Sequence, residues 1–140
     1  MNKRKIRNLI LLCLAGVVLA YVAMVAWNEY QLGTRQPQGG FTIVIATFDK
    51  DNNRHERVVR LTRLDGENYI AAQHWPRAWY RQALANPEIE VKFEESFEPY
   101  LAVSPEGAEL ERVKVGYPMS FGFKFRTGFP PRRFLRLDPR

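Results

Sequence analysis

The sequence predicts a mainly β domain with short helices, preceded by one membrane-spanning helix. Three observations carry that expectation. Leu9 to Trp27, "LILLCLAGVVLAYVAMVAW", is an apolar run without a charge. From Phe41 onward the apolar residues alternate with polar ones in short runs, the period of a strand. "AWYRQALANPEIEV", Ala78 to Val91, passes from a helical pattern through Asn-Pro straight into an alternating one.

The apolar run covers ~28 Å as a helix, close to the ~30 Å hydrocarbon thickness of a bilayer. Lys3, Arg4, Lys5 and Arg7 precede it, whereas Asn28 and Glu29 follow it and only Arg35 is near. The positive-inside rule therefore puts the N-terminus in the cytoplasm and the rest of a single-pass protein outside it, in the periplasm or the extracellular space. "VLA" ending at Ala20 has the small residues of a signal cleavage site, but the run continues to Trp27, longer than a signal core. The expected division is a basic flank over 1–8, an anchor over 9–27, a Gly/Gln/Pro-containing linker over 28–40 and a domain over 41–140.

Within the domain, "FTIVIATF" is apolar and β-branched, as a central strand requires. "DKDNN" turns the chain into "RVVRLTRL", and Asp65-Gly66 is a hairpin signal leading into "ENYIAA". A helix follows, with Pro76 suited to its first turn and "RAWYRQALA" supplying good helix formers. Asn86-Pro87 ends it, because the residue before proline is pushed out of the α region. "EIEVKFEESFEPYLAV" reads as a strand pair bent near Glu95-Ser96, with Ile89, Val91 and Phe93 inward. "SPEGAELERVKVGYP" is a short helix with acidic residues near its start, and "RFLRLDP" closes the domain as a strand. Between them "GFKFRTG" alternates Phe123 and Phe125 with Lys124 and Arg126. If extended, it presents the two pairs to opposite sides, as an anion contact at a rim or as a basic edge.

The net charge of +6 is unevenly placed: the first eight residues supply +4, Lys124 to Arg140 supply +5, and the stretch between them is −3. The first cluster is a topology signal, and "PPRRFLRLDPR" is either a solvated edge or a site for anionic headgroups or a phosphate. No nucleic-acid partner is expected of a domain outside the membrane. Cys13 is the only cysteine and lies in the apolar run, so the domain has no disulfide and no thiol nucleophile. His55 and His74 lack metal-ligand spacing, and no metal is expected. Ser96, Ser104 and Ser120 lack a nucleophile-elbow context.

The element order, with "DGENYIAA", "PRAWYRQALANPEIEV", "GYP", "RTG" and "FLRLDP", resembles the deazaflavin-dependent nitroreductase family of the flavin-binding split β-barrels, from about Phe41 onward. The resemblance implies a six-stranded antiparallel split β-barrel related to pyridoxamine oxidase. It also implies a bound deazaflavin or flavin mononucleotide, hydride transfer to quinones or nitro compounds, and a homodimer. Arg57 matches the family's arginine at the start of the second strand, Arg60 falls where the family has proline, and Arg63 is a further candidate without a family counterpart. Arginine suits a cofactor phosphate because its guanidinium makes charge-assisted, often bidentate hydrogen bonds. The resemblance thus points to Arg57, Arg60 and Arg126 for phosphate and to Trp79 and Tyr80 near the ring. Trp75, Trp79 and Tyr80 could line such a site, but aromatic residues at such a joint more often cover a barrel end.

Two departures bear on function. The family's Gly-Arg-x-Ser-Gly-like loop is here "DKDNNRHE", with no glycine or serine and with Asp49 and Asp51 facing any anion. "QHWPRA" replaces a longer glycine-containing loop before the helix. Two readings result: a membrane-anchored flavin- or deazaflavin-type reductase of quinone or nitro-type acceptors, and a non-catalytic binding or assembly module on the same barrel. No proton-transfer residue can be named for the first.

Overall fold

The computed structural model describes residues 2–37, 40–72 and 77–140. Six strands, β1 (Thr42–Phe48), β2 (Arg54–Leu64), β3 (Glu67–Ala72), β4 (Glu88–Lys92), β5 (Phe97–Val103) and β6 (Arg133–Pro139), form a closed barrel. Their order around the wall is β1-β2-β3-β6-β5-β4, with every described pairing antiparallel. Closure leaves no long free edge to template association. The register sets Ile43 opposite Val59, Ile45 opposite Val91, Ile70 opposite Leu135 and Ala102 opposite Leu137. These side chains fill the interior, where Ile45, Ile70, Val91 and Leu135 are fully buried.

The hairpins form where the sequence places them. Asp65 and Gly66 both take positive φ, 53° and 85°, the left-handed pair that a two-residue turn between twisted strands needs. Helix α2 (Ala78–Ala85) packs against β1 and buries Trp79, Tyr80 and Ala83 in the same core cluster as Ile43 and Ile45. Thr47, on the strand face of Ile43 and Ile45, is buried beneath the helix, with Oγ1 2.7 Å from Gln82 Oε1. Asn86 stops the helix: its side chain accepts from Glu88 N at 3.2 Å, and the Pro87 carbonyl accepts from Ala102 N at 2.8 Å. The helix therefore delivers the chain directly into β4 beside β5. Pro76 and Trp75 lie outside the described residues, as does His74.

Helix α3 (Gly107–Gly116) packs on the outer face of β3 and β6 through Val113, Tyr69 and Phe134. The segment "GFKFRTG" is not extended. It forms a further helix, α4 (Phe121–Thr127), so the expected order of elements lacked one helix. Ser120 caps its start, accepting from Phe123 N, and Gly128 ends it at φ 73°. Those two residues override the alternation of phenylalanines, because a polar cap and a left-handed stop satisfy the helix ends locally.

Helix α1 (Lys3–Thr34) has 32 residues, long and apolar enough to cross a membrane. It continues past Trp27 to Thr34, so residues 28–34 are helical. From Lys3 to Ala20 its residues are exposed; beyond that Tyr21, Met24, Val25, Asn28, Glu29 and Leu32 are half-buried. That spacing of three and four is one helix face, and it lies against the barrel.

Candidate functional site

The end of α1 closes over the wall of the barrel at a cleft of about 280 Å³, lined by residues of α1, β2, β3, α2 and α4. Strand alternation puts Arg57 on the face of Val59 and Leu61, which are buried. Its Nη2 donates to the Gly33 carbonyl at 3.2 Å, so β2 is tied to the last turn of α1. Arg60 lines the same cleft with its side chain exposed.

Two further arginines complete the group. Arg35 follows α1 directly and lines the cleft, and Arg77, the N-cap residue of α2, stands under the helix end. The Arg77 side chain is only 15% exposed, with Nη2 3.3 Å from Glu29 Oε1. That contact is an ion pair without an aligned hydrogen bond, and the buried Nη2 has no hydrogen-bond partner among the described residues. Burial lowers the Arg77 pKa, Glu29 opposes the shift, and the Arg57 charge adds to it. Gly33 allows this approach: a Cβ there would lie 3.0 Å from Arg77 Nη1.

The aromatic residues divide. Trp79 contributes to the cleft and to an adjoining one of about 420 Å³ that shares Arg57 and Arg77. Tyr80 is a core residue, 5.9 Å from Trp79 in an edge-to-face pair, with the Arg133 guanidinium 5.8 Å from its ring centre. Arg126 sits exposed on α4, where Phe123 rather than Arg126 lines the cleft. Arg63 lies elsewhere, with its guanidinium 4.9 Å from the Phe41 ring centre. The structure therefore brings Arg57, Arg60 and Trp79 together, adds Arg35 and Arg77, and leaves Tyr80 and Arg126 outside the cleft lining. Sequence reasoning missed Arg35 because it read as linker, and Arg77 because only folding brings it beneath α1.

The β1–β2 loop is self-satisfied. Asp49 Oδ1 accepts from the amides of Asp51 and Asn53, both at 2.9 Å, and Oδ2 lies 3.1 Å from Asn53 Nδ2 and 2.9 Å from His55 Nε2. The His55 contact, foremost, and the loop's donors hold the Asp49 carboxyl far below the usual carboxylate range. The loop's backbone donors are turned onto the chain's own carboxylate instead of outward to a phosphate. Among the described residues no group of three or more His, Cys, Asp and Glu is disposed to hold a metal.

No family model matches the chain, and no curated protein matches its sequence. Solved structures do match its fold. An F420-H2-dependent reductase, FDR-A, superposes with a TM-score of 0.52 at 17% identity, over 70% of this chain and 94% of that one. The chain is a split β-barrel protein. The barrel also matches a domain-swapped dimer, with a TM-score of 0.56 at 16% identity over 86% of this chain and 98% of that one. A third match is Atu2129, a protein of unknown function from Agrobacterium tumefaciens, with a TM-score of 0.54 at 17% identity. That likeness covers 70% of this chain, which spans about half (47%) of the Atu2129 chain. At these identities the likeness defines the split barrel and nothing finer.

Proposed function

We propose that this split barrel is a membrane-anchored oxidoreductase that holds a flavin mononucleotide or deazaflavin and reduces a quinone or nitro-type acceptor. The observation that carries the reading is the convergence of Arg35, Arg57, Arg60 and Arg77 with Trp79 on one cleft. Arg77 Nη2, buried without an aligned acceptor, suits the oxygen of a phosphate, and Arg57 and Arg60 supply further charge-assisted donors. The cleft, at about 280 Å³, falls just below the ~300–1,000 Å³ usual for small-molecule sites. It accommodates the phosphate-bearing part, and Trp79 offers an apolar wall to the remainder of the cofactor.

When bound, such a cofactor supplies hydride transfer. The chain's own residues neutralise phosphate charge and shield the site with the end of α1. The anchor, with the N-terminus in the cytoplasm and the barrel outside, keeps the domain beside the bilayer where a lipophilic quinone is concentrated. A homodimer accords with the likeness to a domain-swapped dimer.

The experiment is oxidation of reduced deazaflavin by a short-chain quinone, followed by absorbance, with the full chain in lipid vesicles. Turnover that falls on Arg57→Ala supports the reading; absence of turnover with folded protein sinks it. The Asp49 loop favours a second reading, a split barrel used for binding or assembly without catalysis, because the amides of Asp51 and Asn53 are already occupied.

A further inference from the structure

Three phenylalanines stand exposed on one side of the barrel, although most of the domain's large apolar residues are buried. Phe121 is 72% exposed, Phe129 51% and Phe125 44%. They form a cluster: the Phe121 ring lies 6.3 Å from Phe125 and 5.9 Å from Phe129. Phe129 is held there at φ 52°, a left-handed conformation that is unfavourable for a bulky residue. Its amide donates to the Lys124 carbonyl at 2.9 Å, which fixes the ring's position after the helix. The fold thus accepts strain to keep an aromatic ring in the open.

The cluster's position identifies what it meets. Helix α4 packs on α1: Tyr21 Oη donates to the Phe125 carbonyl at 3.1 Å, and the Tyr21 and Phe125 rings are 5.0 Å apart. Gly128 abuts Val25, so closely that a Cβ would lie 2.9 Å from Val25 Cγ1. Tyr21 and Val25 belong to the uncharged run Leu9 to Trp27. Measured from Arg7 at ~1.5 Å per residue, Tyr21 is ~21 Å and Val25 ~27 Å along the helix, within or at the edge of a ~30 Å hydrocarbon layer. With Arg7 at one boundary, α1 therefore brings α4 to the far edge of the hydrocarbon layer, next to the headgroups. The charges agree: from Gly116 to Leu135 the chain carries Lys124, Arg126, Arg132 and Arg133 and no acidic residue.

We propose that α4 and Phe129 form a second membrane contact, in which Phe121, Phe125 and Phe129 enter the bilayer interface beside α1 and Lys124 and Arg126 meet anionic lipid headgroups. Phenylalanines on the apolar face of an interfacial helix bury at the boundary of headgroups and acyl chains, and basic side chains beside them are drawn to anionic lipid. The proposal rests on the reading of α1 as a membrane anchor. Its consequence is a barrel held in one orientation, with the neighbouring arginine cleft, to which α4 contributes Phe123, close to the bilayer surface.

The test uses spin labels, which the single Cys13 makes simple. In a full-length Cys13→Ser background, labels are placed by Phe121→Cys and Phe129→Cys. Leu12→Cys serves as the control within the anchor and Glu95→Cys as the control on the barrel. Each protein is reconstituted in phosphatidylcholine vesicles containing phosphatidylglycerol, and collisions with oxygen and with a water-soluble nickel chelate are compared. Expected are oxygen access exceeding nickel access several-fold at positions 12, 121 and 129, the reverse at 95, and deeper readings at 121 with more phosphatidylglycerol. Nickel access dominating at 121 and 129 while position 12 reads as hydrocarbon overturns the membrane contact but leaves the anchor. Nickel access dominating at 12 as well overturns the anchor and the contact together. Low access to both reagents with spin–spin broadening at 121 assigns the cluster to a second copy and also overturns the proposal.

Discussion

Asp49 Oδ2 lies 2.9 Å from His55 Nε2 across the β1–β2 turn, while Asp49 Oδ1 takes the amides of Asp51 and Asn53. The carboxylate occupies the position an external anion would need. Substituting Asp49→Ala removes the acceptor of both amides. Their hydrogen exchange is expected to quicken by about tenfold, the effect of losing a charge-assisted bond, with the barrel's core amides unchanged. Because the folded-state pKa is depressed, the loop's contribution to stability is complete above the ordinary carboxylate value and is lost as pH falls from there through the lower folded-state one. Exchange at Asp51 and Asn53 that is indifferent to the substitution would remove this account of the loop.

Arg136 gathers two carboxylates from different elements. Its Nη1 donates to Glu109 of α3 at 2.8 Å, and its Nε and Nη2 donate to Asp138 at 2.6 and 2.9 Å. For Asp138 the Arg136 hydrogen bonds lower the pKa. For Glu109 burial raises it, but the bonds from Arg136 and Tyr69 outweigh burial and leave it lowered. Both contributions are present above the unfolded carboxylate values and disappear as pH drops through the folded ones, so acid destabilisation begins below about pH 4. Arg136→Met should cost about 1–3 kcal/mol at neutral pH, between exposed and buried pairs, and flatten that acid limb in urea melts. Tyr69 acts in the opposite direction. Burial, then Glu109, pushes its pKa up to about 12, so stability falls between about pH 10 and 12 as the unfolded chain releases a proton the folded one keeps.

Gly128 joins α4 to α1 at φ 73°, with space for no side chain against Val25. Gly128→Ala adds left-handed strain of roughly 1 kcal/mol and a contact that must push α1 and α4 apart. The expected result is faster proteolysis at α4 in detergent, with barrel strands unaffected. Equal cleavage in both proteins would mean that the two helices are not coupled there.

Most of the fold is legible from local chemistry. Asp65-Gly66 supplies the turn, Asn86-Pro87 ends α2, and Ile89 and Val91 alternate inward because β4 has one face on the barrel interior. The failure at α4 has a specific cause. Phenylalanines at 121, 123 and 125 alternate as in a strand, while the helix is set by Ser120 and Gly128 at its ends. Weighting caps above hydrophobic period would have found it. At the cleft, Arg57, Arg60 and Trp79 could be named because they stand in regular elements, whereas Arg77 and Arg35 acquire their place only when α1 docks. Tyr80 illustrates the converse: it is as buried as Trp79 in the same core cluster, but only Trp79 also reaches the cleft.

The most direct test of the arginine cleft is a fluorescence titration of the full chain in detergent with flavin mononucleotide and with deazaflavin, alongside Arg60→Ala. Arg60 is exposed and makes no described contact with α1, so its loss probes ligand charge without unseating the helix. The expected result is saturable binding in the micromolar range, weakened several-fold by the substitution and by rising salt. Folded protein that binds neither compound at high micromolar concentration would contradict the cofactor site and leave the split barrel as a binding or assembly module.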